Sequence, residues 1–291
     1  MSSLMQAALS EGMAQASLAV FTTTASGGVV ACIILAVYVL AHPTDDERCL
    51  YLRRFLIIPL AAVILGLIAS TNHLGRPSNT LYVLTGVGRS PLSNEVVAVA
   101  AFTGFTWIAW LLSFARQRFR KAVKALLVVS VLTGVLSLSR MAGAYSIDTI
   151  ITWAIPYTQV NLILAGLASG PLLALVALRA AEAGSHRLAM ALVAVGALMA
   201  VLLAVSESLQ YLAFQDLQGG LYQAADLVRF YPACIVASIT AMGAGIAVAA
   251  VPLIRSRPLG VPQCVAACLL SFAGVFIVRF AFYCMRLTAG F

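Results

Sequence analysis

Charge is what this sequence has least of. Of its 291 residues, 18 are Lys or Arg and 10 are Asp or Glu, so charged residues make up 10%, against about 25% in an average soluble domain. So few charges cannot cover the surface of a water-soluble protein of this size. A cytosolic enzyme, a secreted disulfide scaffold and a disordered chain are excluded together. Histidine is scarcer still, at three: His42, His73 and His186. A b-type haem in a membrane bundle wants two facing axial histidines, and His73 stands apart from the other two. The six cysteines (Cys32, Cys49, Cys234, Cys264, Cys268 and Cys284) contain no CxxC pair. They read as small buried apolar residues, and neither a haem nor an iron–sulfur cluster is expected in this chain.

Apolar sequence fills the gap. Hydrophobic residues make up 62% and the mean hydropathy is +1.00, which suits a chain surrounded by lipid. Eight runs approach the roughly 20 apolar residues needed to cross a bilayer, near 17–41, 52–72, 94–115, 122–143, 158–180, 186–209, 231–254 and 262–287. The joins carry Pro, Gly and charge, as in His42-Pro43-Thr44-Asp45-Asp46-Glu47-Arg48. The expectation is an all-α integral membrane protein, 1–291 forming a single polytopic membrane domain whose eight transmembrane helices pack as two four-helix bundles. No Lys or Arg precedes the first run, so it reads as an uncleaved helix rather than a signal peptide.

The net charge of +8 does not indicate nucleic acid, because the basic residues are scattered between apolar runs. They orient the chain instead. Loops after helices 1, 3, 5 and 7 carry Arg48, Arg53, Arg54, Arg116, Arg118, Arg120, Lys121, Lys124, Arg179, Arg187, Arg255 and Arg257. The other side has Arg76, Arg89, Arg140, Arg229, Arg279 and Arg286. The richer side is expected to be cytoplasmic, with both termini outside, in the periplasm of a Gram-negative cell.

Ionisable groups at membrane depth are costly and mark function by default. Here they crowd toward the outer face: His73 ends helix 2, Glu95 opens helix 3, Arg140 lies far along helix 4, and Arg279 far along helix 8. Asp148 follows helix 4, while the cytoplasmic half of the core is almost free of charge. Such one-sidedness counts against an ion or substrate path, which needs polar stations at the midplane or on both sides. A histidine and a partly buried carboxylate are the parts required to accept two protons from a hydroquinone. Each also has a plainer explanation. His73 suits a helix C-terminus, and Glu95 suits an N-terminus just after a Ser93 cap. Arg140 and Arg279 either snorkel to the interface or neutralise Glu95, Asp148 or Glu207. Glu207 with Gln210 reads as interface solvation.

The segment Asn72-His73-Leu74-Gly75-Arg76-Pro77, with Val87-Gly88-Arg89-Ser90-Pro91-Leu92-Ser93-Asn94-Glu95, resembles the signature of the anaerobic dimethyl sulfoxide reductase membrane-anchor family, related to polysulfide reductase-type anchors. Gly27-Gly28, Arg140 with Ser146-Ile147-Asp148-Thr149 and Trp153, and Arg279-Phe280-Ala281-Phe282-Tyr283 are similar to the same family. The resemblance spans nearly the whole chain and is loosest between 185 and 260. It implies an eight-helix anchor in the bacterial inner membrane that oxidises menaquinol to menaquinone. Electrons would pass to a four-cluster iron–sulfur subunit and a molybdopterin catalytic subunit on the periplasmic face. It carries the quinol-site roles onto His73 and Glu95, with Asn72, Arg76, Ser93, Asn94, Arg140, Asp148 and Arg279 in support. Arg76 departs from the small polar residue of some members, which bears on the pocket rim. The competing expectations are a small-molecule or ion transporter and a purely structural tether.

Overall fold

The computed structural model describes residues 3–42, 47–72, 77–115, 119–219 and 222–286. Among the described residues, eight helices are long and apolar enough to cross a membrane: α1 (Ala16–Ala41), α2 (Cys49–Thr71), α3 (Pro91–Ala115), α4 (Arg120–Ala144), α5 (Pro156–Ala180), α6 (His186–Ala213), α7 (Tyr231–Ile254) and α8 (Val261–Cys284). At 23 to 28 residues each, they measure about 35–42 Å, enough for the hydrocarbon core with tilt. The chain is an all-α integral membrane protein, and all eight expected runs are present. A short helix, Ser3–Ala14, precedes them and packs on α8. A two-residue ladder, Gln218–Gly219 with Tyr222–Gln223, lies between α6 and α7.

Local chemistry sets the helix starts. Proline stands at the first or second position of α3, α5, α7 and α8, where its fixed φ suits a helix and its missing N–H is not needed. This moves the start of α3 upstream of the expected position. Ser90, not Ser93, is the N-cap, accepting from the Ser93 N–H, so Glu95 sits in the second turn. Ser185 caps α6 in the same way, accepting from the Leu188 N–H at 3.1 Å.

The neighbours are α1 with α2 and α4, α3 with α2 and α4, α5 with α6 and α8, and α7 with α6 and α8. Helix α1 also runs against α5 and α8. These pairs trace two circuits of four that share a common core along α1 and α5, so neither circuit is walled off from the other. The most apolar stretches of α1 and α5 are 61% and 78% buried, against 28% for α4 and α7. The two enclosed helices meet through small residues, which permit close backbone approach where lipid supplies no hydrophobic force. A Cβ at Gly170 would stand 2.5 Å from the Val30 side chain, and one at Gly166 would stand 3.1 Å from the Ser26 backbone. The outer faces present Leu132, Leu198, Val236 and Leu269.

One expectation is corrected at the end opposite the termini. Arg53 is not in a loop: it lies within the α2 span at 1% exposure. The core there is therefore not free of charge. A short 3-10 segment, Arg53–Leu56, turns this guanidinium inward, while Arg54 lies over the Phe114 ring at 5.4 Å.

Candidate functional site

At the end carrying both termini, five helices each contribute a buried polar side chain to one layer. Thr22 comes from α1, Glu95 from α3, Asn161 from α5, Glu207 from α6 and Arg279 from α8. Counting from the helix ends at 1.5 Å per residue, all five lie about 6–9 Å inside them. Glu95 and Arg279 are each 1% exposed and Glu207 is 4% exposed. Charge buried at such depth is expensive and needs partners.

Arg279 is the centre of the layer. Its Nε donates to Thr22 Oγ1 at 3.1 Å. Its guanidinium carbon stands 4.6 Å from the Phe282 ring centre, 5.5 Å from Tyr283 and 5.7 Å from Tyr145, all within cation–π range. Those rings lean on one another, Tyr145 and Tyr283 edge to face at 5.8 Å. The positive charge reaches both Glu95 and Glu207. Arg279 is thus turned inward and does not snorkel to the interface.

Glu95 points into this surrounding, and its Oε1 has no hydrogen-bond partner among the described residues. A buried oxygen left in that condition calls for a ligand or water. Tyr145, just past α4, is beside it: burial pushes the phenol well above its usual value, and the neighbouring Glu95 charge adds to the shift. The loop after α4 is pinned over the end of α8. Thr152 Oγ1 donates to the Met285 carbonyl at 2.5 Å, and the Trp153 indole N–H donates to the Phe282 carbonyl at 3.3 Å. Trp153 also stacks on Phe282 at 4.8 Å. Two islands far apart in sequence, 140–153 and 279–283, thus meet around one guanidinium.

The α3 entry is built by its turn. Gly88 adopts φ +84°, a left-handed conformation that glycine takes without steric cost. Its N–H donates to Asn94 Oδ1 at 2.8 Å. Ser93 is buried against Gly86, where a Cβ would stand 2.5 Å from the Ser93 hydroxyl. Asn94 and Ser93 therefore hold the loop to the helix. Asn72 is exposed at the C-cap of α2. His73 and Arg76 lie outside the described residues. Arg140 and Asp148 are both exposed, so the layer is not assembled around them.

Glu207 departs from the reading of its sequence as interface solvation. It accepts a hydrogen bond from the Tyr231 hydroxyl. The same hydroxyl is 3.4 Å from Gln210 Oε1, which accepts from Asn161 Nδ2 at 2.5 Å. All four side chains are buried. Sequence reasoning missed Thr22, Tyr145, Asn161 and Tyr231. Tyr283 and Trp153 were at least present in the islands that carry the family resemblance.

An eight-span protein whose buried carboxylates, among the described residues, both lie at the termini end is a membrane protein with a one-sided polar site. The protein belongs to the DMSO reductase anchor subunit (DmsC) family, whose model matches residues 9–285. It is 31% identical over 273 residues to YnfH, an anaerobic dimethyl sulfoxide reductase polypeptide of Escherichia coli (strain K12), with 94% of this protein and 95% of that one covered. It is 31% identical over 230 residues to the C polypeptide of anaerobic dimethyl sulfoxide reductase from the same organism, with 78% and 79% covered. The C polypeptide of the Haemophilus influenzae anaerobic dimethyl sulfoxide reductase is 25% identical over 284 residues, with 97% and 98% covered.

Proposed function

We propose that this anchor subunit oxidises a quinol, menaquinol by family resemblance, in the polar layer at its termini end. Glu95 and His73 take one proton each. The two electrons leave one at a time to an iron–sulfur subunit docked on that face, and from there reach a molybdopterin subunit. The balance is quinol to quinone, two protons and two electrons. Both termini and the site then face the periplasm of the bacterial inner membrane, in keeping with the distribution of Lys and Arg.

One observation carries the reading: Glu95 Oε1 is buried without a partner among the described residues, beside the Arg279 charge. A carboxylate free to receive a proton in a lipid-facing bundle fits a lipid-soluble proton donor. The ring-lined setting of Arg279 suits a planar aromatic headgroup.

The test uses the assembled complex in membrane vesicles. His73→Ala and Glu95→Gln are expected to abolish reduction driven by a menaquinol analogue, while an artificial electron donor still drives the catalytic subunit at the parent rate. Undiminished quinol-driven turnover in both variants overturns the proposal.

A further inference from the structure

Four buried polar atoms on α5 and α6 have no hydrogen-bond partner among the described residues: Thr158 Oγ1, Asn161 Oδ1, Ser206 Oγ and Gln210 Nε2. Asn161 and Gln210 are 2% and 1% exposed, and their bond to each other fixes what is left over. Gln210 Oε1 accepts from Asn161 Nδ2 at 2.5 Å and stands 3.4 Å from the Tyr231 hydroxyl. The bridge from α5 to α6 uses those atoms and leaves one donor, Gln210 Nε2, and one acceptor, Asn161 Oδ1. Tyr231 also donates to Glu207, so that carboxyl is already engaged from α7. Buried amides with an unused donor and acceptor call for a ligand or water.

The same two helices wall a cavity of about 570 Å3, a size suited to a small-molecule site. Tyr157, Val160 and Leu164 line it from α5, and Leu202, Val205 and Leu209 from α6. Ser206 completes the lining, and its unpartnered hydroxyl joins the apolar cavity to the polar cluster. Gln210 is one helical turn further along α6. Val160, Val205 and Leu209 are exposed, so the cavity opens sideways toward lipid. It calls for an apolar tail and a small head that both accepts and donates hydrogen bonds. A phospholipid head is a poor fit, because its phosphate requires a cation. Among the described residues no Lys or Arg lines the cavity. Those of α5 and α6, Arg179 and Arg187, lie at the far ends of the two helices. A neutral quinone fits: its carbonyls accept from Gln210 Nε2 and Ser206, and the reduced form also donates to Asn161 Oδ1. We infer that the α5–α6 cleft holds a quinone molecule in addition to the quinol oxidised at Glu95, its head on Gln210, Asn161 and Ser206 and its tail along the apolar wall. The cleft binds and releases this molecule and transfers neither protons nor electrons. The class of ligand rests on the quinol reading above.

The test photolabels the assembled complex in membrane vesicles with an azido-naphthoquinone bearing an isoprenoid tail, and maps the adducts by mass spectrometry. Adducts are expected on 157–164 or 202–209, displaced by excess menaquinone and not by excess diacylglycerol, a neutral-lipid competitor. Gln210→Leu is expected to lower this labelling about tenfold, the scale of one lost hydrogen bond. Val205→Trp, which fills the cavity from its lipid side, is expected to remove it. Turnover with an artificial donor reports that each variant has assembled. Absence of adducts on both segments of the parent complex overturns the inference, whether or not the variants assemble. So does labelling that diacylglycerol displaces equally, which makes the cleft a neutral-lipid groove, or labelling that both variants keep at the parent level. If His73→Ala and Glu95→Gln retain quinol-driven turnover while the cleft is labelled, the quinol reading fails and the cleft stands as a quinone site. If they abolish turnover and the cleft takes no label, this inference alone fails.

Discussion

Arg279 Nε donates to Thr22 Oγ1 at 3.1 Å, joining the last membrane helix to the first. The bond helps hold a guanidinium that stands within cation–π range of the rings of Phe282, Tyr283 and Tyr145. A planar, delocalised cation suits such a setting, and an ammonium does not.

Arg279→Gln is therefore expected to lower quinol-driven turnover by about 10²-fold, the range for removing one preorganised charge from a dry site. Arg279→Lys, which keeps the charge but not the planar, delocalised guanidinium, recovers only part of it. Turnover with quinol and with an artificial donor, compared on the same complex, is the measurement. Equal losses with both donors would show that the residue matters for assembly and not for the site.

The contact between α1 and α5 is tight enough to be tested by a single methyl group. A Cβ at Gly170 would stand 2.5 Å from Val30 Cβ and 3.0 Å from the Gly27 carbonyl, whereas one at Gly104 would meet nothing within 4 Å. Gly170→Ala is expected to destabilise the protein by about 1–3 kcal/mol. Gly104→Ala is expected to be neutral or to stabilise it slightly, through helix propensity. Thermal unfolding in detergent separates them, and equal stability of the two variants contradicts the packing described.

The turn before α3 depends on Gly88 at φ +84°. Nothing lies within 4 Å of a Cβ there, so the effect of Gly88→Ala is confined to the backbone, at about 1–2 kcal/mol. Loosening the bond from the Gly88 N–H to Asn94 Oδ1 frees the segment that introduces Glu95. The expected result is a KM for quinol raised about tenfold, with a smaller effect for Gly88→Asn, since asparagine tolerates this conformation better. Identical kinetics for the two substitutions would be the contrary outcome.

Arg140 and Arg279 show how far reading the sequence can go. Both lie near the same end of long apolar helices, and both could be named as costly charges from the sequence. Yet Arg140 is exposed and Arg279 is 1% exposed. Glu207 is the reverse case, since it reads as solvated and is buried on Tyr231. Arg53, counted with a loop, is enclosed at the opposite end.

The sequence by itself determined how many helices cross and about where along the chain each one lies. Those properties follow from run length, a fixed rise per residue, and proline or serine at the helix starts. It also determined that charge at depth is confined to a few residues, Glu95 and Arg279 among them. Only the tertiary structure decided which face of each helix turns inward. Spans that are apolar on every side carry no amphipathic signal to orient them, so their rotation is settled by small-residue contacts such as Gly170 against Val30 and Gly166 against Ser26. That rotation sets Arg279 among three aromatic rings, within electrostatic reach of two carboxylates more than a hundred residues apart along the polypeptide.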